Sequence, residues 1–107
     1  MAETLTIAVC ICDEVTMSDF IPPMEILGDV NLADVPAFAP LVGEVPFRFK
    51  MDFLAPTMNP VSSMTPGLVT VNPTRTYTDA IEKGAQYDII WVPAGELREV
   101  PSLIDVT

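Results

Sequence analysis

The chain has 107 residues, half of them hydrophobic, and 15 acidic against 5 basic side chains, a formal charge of −10. That length fits one domain at most, and a charge of this sign argues against nucleic acid or an anionic membrane as partner. Histidine is absent, which removes Ser-His-Asp and Cys-His catalysis within the chain and most transition-metal sites.

Leu5 to Cys12 is an apolar run broken only by Thr6, the composition of a strand buried on both faces. An acidic turn, Asp13-Glu14, follows it. A helix is then predicted over about 19–33, with Ser18 and Asp19 as capping residues and Pro22 and Pro23 in its first turn. Phe20, Met24 and Leu27 give that helix one apolar face. Residues 34–46, with three prolines and a glycine, read as an apolar loop whose Phe38, Leu41 and Val42 pack on another surface, a partner chain included. Phe47 to Phe53 alternates strictly: Phe47, Phe49, Met51 and Phe53 on one face, Arg48, Lys50 and Asp52 on a wet one. Ala55 to Pro66 is turn-rich, with a short strand expected around Val61. Further strands are expected at Leu68–Val71 and, buried, at Asp88–Pro93. One or two helical turns are expected within Thr74–Lys83, stopped by Gly84, and a second helix is expected to begin in the tail after Glu96.

Strand, helix, strand, a hairpin-like excursion, strand and the start of a helix argue for an α/β fold with a mainly parallel sheet. A buried parallel sheet needs both faces covered, yet only one clear helix is present. The chain therefore reads as a single partial domain over 1–107, the N-terminal half of a doubly wound one. In such sheets sites lie beyond the carboxyl ends of the strands, which places the functional edge at the turn from Cys12 to Asp19, with Glu25 beneath it. The N-terminus lacks the basic start of a signal peptide, and no run approaches the ~20 apolar residues of a membrane helix. The expectation is a cytoplasmic, non-membrane protein.

The candidate site residues each carry two readings. Glu25, among Phe20, Met24 and Leu27, is either a partly buried proton-transfer group or a solvated helix carboxylate. Asp19 orients substrate or water, or caps the helix. Gly95 either offers its amide to an oxyanion or is a turn glycine. Met17 lines the site or covers it. Cys10 and Cys12 lie two apart on one strand face; they read as core thiols, because a metal would need further ligands that the chain lacks. Neither a metal nor any other cofactor is expected. The Ser62-Ser63 pair has no base to activate it and reads as turn chemistry.

The segment Cys12 to Gly28, CDEVTMSDFIPPMEILG, resembles the opening of the ThiJ/PfpI superfamily (class I glutamine amidotransferase-like), above all its isonitrile hydratase-like branch. Asp19, Pro23 and Glu25 stand at that pattern's aspartate, proline and glutamate, with Pro22 where glycine is usual. Met64 to Gly95 is similar to the family's next stretch, ending in D-I-I-W-V-P-A-G, where Ala94 replaces the first of two glycines and Gly95 keeps the second. The resemblance spans nearly the whole chain but only the N-terminal half of a family domain. It implies a flavodoxin-like sheet with flanking helices. It also implies a site in which Glu25 tunes a cysteine nucleophile, Asp19 is the polar partner near the substrate and Gly95 is an oxyanion donor. The nucleophile would follow a later strand and is not in this chain.

Three functions follow as expectations. The first is a truncated ThiJ/PfpI-like protein, inactive alone, whose complete relative is a cysteine-dependent hydratase or hydrolase of a small molecule. The second is a non-enzymatic module that pairs its open sheet edge, or its apolar loop, with a second copy or a complementing chain. The third is an acid-base enzyme using Asp19 and Glu25 without a nucleophile.

Overall fold

The fold was obtained as a computed structural model that describes residues 2–95. Its centre is a four-stranded sheet, all parallel, in the order β3-β2-β1-β4. The strands are β1 (Glu3–Cys10), β2 (Phe47–Ala55), β3 (Arg75–Thr76) and β4 (Ile89–Trp91). The helices are α1 (Ile21–Gly28), α2 (Ala39–Val42) and α3 (Tyr77–Glu82), with 3-10 turns at Met17–Asp19 and Asp29–Asp34 flanking α1. This is the expected α/β, flavodoxin-like arrangement. The tail helix expected after Glu96 lies outside the described residues.

The apolar run at the N-terminus forms the central strand because its side chains can be buried on both faces. Ile7, Ala8, Val9 and Cys10 are at most 1% exposed. Side chains alternate across a strand, so this one strand feeds two cores. Ile7, Val9 and Ile11 join Met17, Phe20 and Met24 on the α1 face. Ala8 and Cys10 join Leu54, Tyr77 and Ala80 on the α3 face. Burying Phe20 alone contributes about 2–3 kcal/mol by its apolar area.

Helix α1 starts as its prolines allow. Met24 N donates to Phe20 O at 2.9 Å, and Pro22 and Pro23 occupy the first turn, where amides would have no helical partner. The predicted caps do not form: no side chain caps α1, and its N-cap residue is Phe20. Gly28 closes α1, and a Cβ there would meet Met51 Cε at 3.4 Å, so it is both boundary and close-packing point. Helix α3 does have a side-chain cap, with Asp79 N donating to Thr76 Oγ1 at 3.1 Å, and Gly84 ends it at φ +64°.

Four other expectations are corrected. Leu68–Val71 is not a sheet strand: Leu68 and Val69 are 51% and 63% exposed, and only an antiparallel bridge, Val61 to Val71, forms the hairpin excursion. Strand β4 is half-buried rather than buried, because it is an edge strand among the described residues. The loop 34–46 contains α2, and its Phe38 and Leu41 are 46% and 83% exposed instead of packed. The charged face of β2 is only partly wet. Lys50 is exposed, but Arg48 reaches Asp34 and the carbonyls of Val45 and Phe47, and Asp52 accepts from Tyr87 Oη at 2.7 Å.

Burial, then the hydrogen bond to Asp52, pushes the Tyr87 hydroxyl from the ordinary 10.0 up to about 12. A raised acid stabilises the fold below its unfolded value and loses that contribution as pH climbs through its folded one. Denaturation midpoints measured from pH 9 upward should therefore fall between about 10 and 12, and Tyr87→Phe should flatten that fall.

Candidate functional site at the switch point

The chain leaves β1 for β2 and β3 on one side, then returns to β4 on the other. The gap beyond the carboxyl ends of β1 and β4 is thus the topological switch point, where open α/β sheets bind ligands. Two loops meet there: residues 11–19 after β1, and residues 92–95 after β4.

They are stitched together through Asp19. Its carboxylate Oδ2 accepts from Ala94 N at 3.1 Å, and its backbone carbonyl accepts from Trp91 Nε1 at 2.8 Å. Thr16 N donates to Ala94 O at 2.9 Å. A short polar side chain early in the chain thus replaces the missing ladder between two loops. The other flank of the β1 exit is held by the hairpin excursion. Val15 N donates to Ser62 O at 3.2 Å, Met64 N donates to Val15 O at 3.0 Å, and Asp13 Oδ1 lies 3.4 Å from both Ser62 N and Ser62 Oγ. From the far face Tyr77 Oη donates to Ile11 O at 2.8 Å. Glu14, in the same turn, has φ +62°, a left-handed conformation costly for a side chain with a Cβ.

The predicted residues separate in this frame. Asp19 sits at the junction. Gly95 sits beside it, and a Cβ there would meet Cys12 Sγ at 3.0 Å and Val15 Cα at 3.3 Å, so the two loops touch only because this residue is glycine. Met17 is 8% exposed and packs within the α1-side core. Glu25 is exposed on α1, not partly buried, and no hydrogen bond joins it to Asp19 or to the β4 loop among the described residues. Both cysteines are 1% exposed. Burial pushes the Cys10 thiol up to about 11, against a lowering hydrogen bond with Tyr77, so at neutral pH it is a protonated core group.

Trp91, Ala94, Ser62 and Asp13 take part in this network without having been singled out as site residues. Trp91 reads as core in the sequence, and nothing there says that its indole N–H meets a carbonyl 72 positions earlier. A hollow of about 230 Å³ lies beyond the carboxyl ends of β1 and β2, on the other side of β1 from the junction, lined by Asp13, Thr57, Asn59 and the ends of β2 and the excursion. A larger one, about 690 Å³, opens at the other end of the strands between Ala39, Pro40, Glu44 and Arg48. Its guanidinium is committed to Asp34 and to two carbonyls, so few polar groups are left to converge on a ligand there. The smaller hollow is at the carboxyl end of the sheet, where such folds bind ligands, although none of Asp19, Trp91, Ala94 and Gly95 lines it. No cluster of three or more metal-ligating side chains occurs among the described residues.

No family model and no curated protein matches the chain. Among solved structures it is similar to a "putative transcriptional regulator protein" from Vibrio parahaemolyticus, with a TM-score of 0.56 and 20% identity, over 98% of this chain and 46% of that one. The likeness is one of fold. The chain spans about half the length of that protein.

Adding a methyl group at Gly95 forces the two loops apart. Gly95→Ala should lower stability by about 1–3 kcal/mol in urea unfolding, and Cys12→Ala added to it should recover part of that loss. Both thiols should stay unreactive to a disulfide reagent in the native chain and titrate only on unfolding, with two equivalents appearing.

Proposed function

We propose that the chain forms the N-terminal half of a ThiJ/PfpI-like small-molecule site, catalytically silent by itself. The observation that carries this reading is Asp19, which crosses the switch point to hold the loop after β4. In the resemblance this residue is the polar partner of the substrate, and Gly95, the oxyanion donor, lies beside it. The complete protein would be a cysteine-dependent hydratase or hydrolase. A thiolate on the other half attacks the carbon of an isonitrile or carbonyl-like substrate, Gly95 N–H faces the developing negative charge, and Asp19 and Glu25 handle water and protons. Neither cysteine replaces the nucleophile, since Cys10 and Cys12 are both enclosed.

A second, non-enzymatic reading is favoured by one feature: Ile26, Phe38 and Leu41 are 71%, 46% and 83% exposed. Apolar side chains displayed in that way suit a binding module. The name of the solved relative brings no nucleic-acid role to this chain, whose charge of −10 offers nothing to a phosphate backbone. Direct acid-base catalysis by Asp19 with Glu25 has no hydrogen bond to support it among the described residues.

Trp91 is the single tryptophan, so its fluorescence reports on the junction directly. Titration with a small alkyl isonitrile should shift its emission in the native chain and leave Asp19→Ala unaffected, with no turnover in either. An unshifted emission up to near-millimolar ligand, or thiol-dependent turnover by this chain alone, would sink the reading.

A further inference from the structure

The two outer edges of the sheet differ. In a parallel ladder, alternate residues of a strand direct both N–H and C=O to the same neighbour. Pro46 O accepts from Glu3 N and Leu54 O from Ile11 N, so the even-numbered residues of β2 face β1 and the odd-numbered ones face outward. Those outward groups are already occupied. Arg48 donates to Phe47 O at 2.8 Å. The Asn31 amide brackets Phe49, donating to its O at 2.7 Å and accepting from its N at 2.9 Å. Thr74 does the same at Phe53, with its Oγ1 accepting at 2.8 Å and its N donating at 2.9 Å. Strand β3 covers the end. Only Met51 lies between plugs, too little for a ladder.

On the opposite edge, Asp88 N donates to Thr6 O at 3.0 Å, so Asp88 and Ile90 face β1 and Ile89 and Trp91 face outward. Among the described residues nothing covers their backbone groups. The strand is nonetheless held straight at both ends. Asp88 Oδ2 accepts from Thr6 N at 2.8 Å and from Thr6 Oγ1 at 3.2 Å, and Trp91 and Ala94 are tied to Asp19. The run Ile89-Ile90-Trp91-Val92 carries no charge, and none of the charge, proline or plugging devices that protect an edge appears within it.

We propose that this edge of β4 pairs with the same edge of a second copy, antiparallel about a two-fold axis at Ile90. The plugged edge decides how a second copy can pair. A second copy cannot offer its plugged β2 edge, so the contact is isologous. The register then sets Ile89 opposite Trp91 of the second copy, twice, giving four backbone hydrogen bonds. Pro93, with no N–H, stops the ladder on each side. So short a ladder between two chains of charge −10 forms a weak dimer, strengthened by salt, which screens the repulsion. The proposal rests on the open edge of β4 and not on the chemistry of the proposed small-molecule site.

The test is mass by light scattering or sedimentation across concentration. The full chain should rise from the monomer mass at low micromolar concentration to twice that mass near millimolar, at lower concentration when sodium chloride is added. Ile89→Pro deletes the outward N–H, removes no donor from the hydrogen bonds to β1, and should hold the chain at the monomer mass throughout. Amide exchange in the unaltered chain gives a reading that does not depend on that variant folding. Protection at Ile89 and Trp91 should grow with concentration, while that of Ile90 should not change. A mass that stays monomeric to near-millimolar, a dimer that survives Ile89→Pro, or concentration-independent exchange at Ile89 and Trp91 would each overturn the proposal. A monomer whose Trp91 still answers the isonitrile removes the pairing and leaves the site reading, and a dimer whose Trp91 does not answer does the reverse.

Discussion

Everything in this structure hangs on β1 being enclosed from four directions. Its two edges bond β2 and β4, and its two faces are covered by α1 and α3. A backbone with no access to water must have its hydrogen bonds made by protein, and here the strand and its extension through Cys12 meet that demand. The cost falls on the residues around it. Tyr77 must reach Ile11 O, Ser62 must meet Val15, and Asp19 must serve the β4 loop. The site is what is left at the point where these obligations converge.

That convergence explains why Asp19 does not cap its helix. A cap exchanges a bond to water for one to a nearby amide, typically worth about 1 kcal/mol. Bridging to Ala94 makes a bond of the same kind and also fixes two loops across the switch point. The prolines at 22 and 23 make the choice inexpensive, because they remove the amides a cap would have served.

The parts of the fold written in local pattern were legible in the sequence. The apolar run of β1, the alternation of Phe47–Phe53, the Ile-Pro-Pro helix start and the glycine stop at Gly84 each depend on neighbours within a few positions. What the sequence hid was non-local. Asp19 meets Ala94 across 75 positions, and no spacing rule covers that. Leu68–Val71 had the composition of a strand but is bridged only through Val71, to Val61 of its own excursion, so it stayed at the surface. Strand β4 read as buried because an apolar run does not say how many neighbours its strand has. Glu25 lay on the correct helix, but its exposure depends on what packs over α1, which pattern does not encode. Glu14 adopts a left-handed turn that its residue type gives no reason to expect.

The Asn31 bracket on Phe49 has a consequence for the fate of the protein at high concentration. A sheet with two open edges can add strands at both ends without limit, and this is the geometry from which fibres grow. A side-chain amide that mimics a neighbouring strand takes one of those ends out of use. Among the described residues the sheet is left with one open edge along the hydrogen-bonding direction, so a second copy paired through that edge would end the growth. Asn31 is in this sense one of several stops on that edge, and a small residue in its place would bare the backbone of Phe49 beside that of Met51 while Arg48, Thr74 and β3 still held the rest.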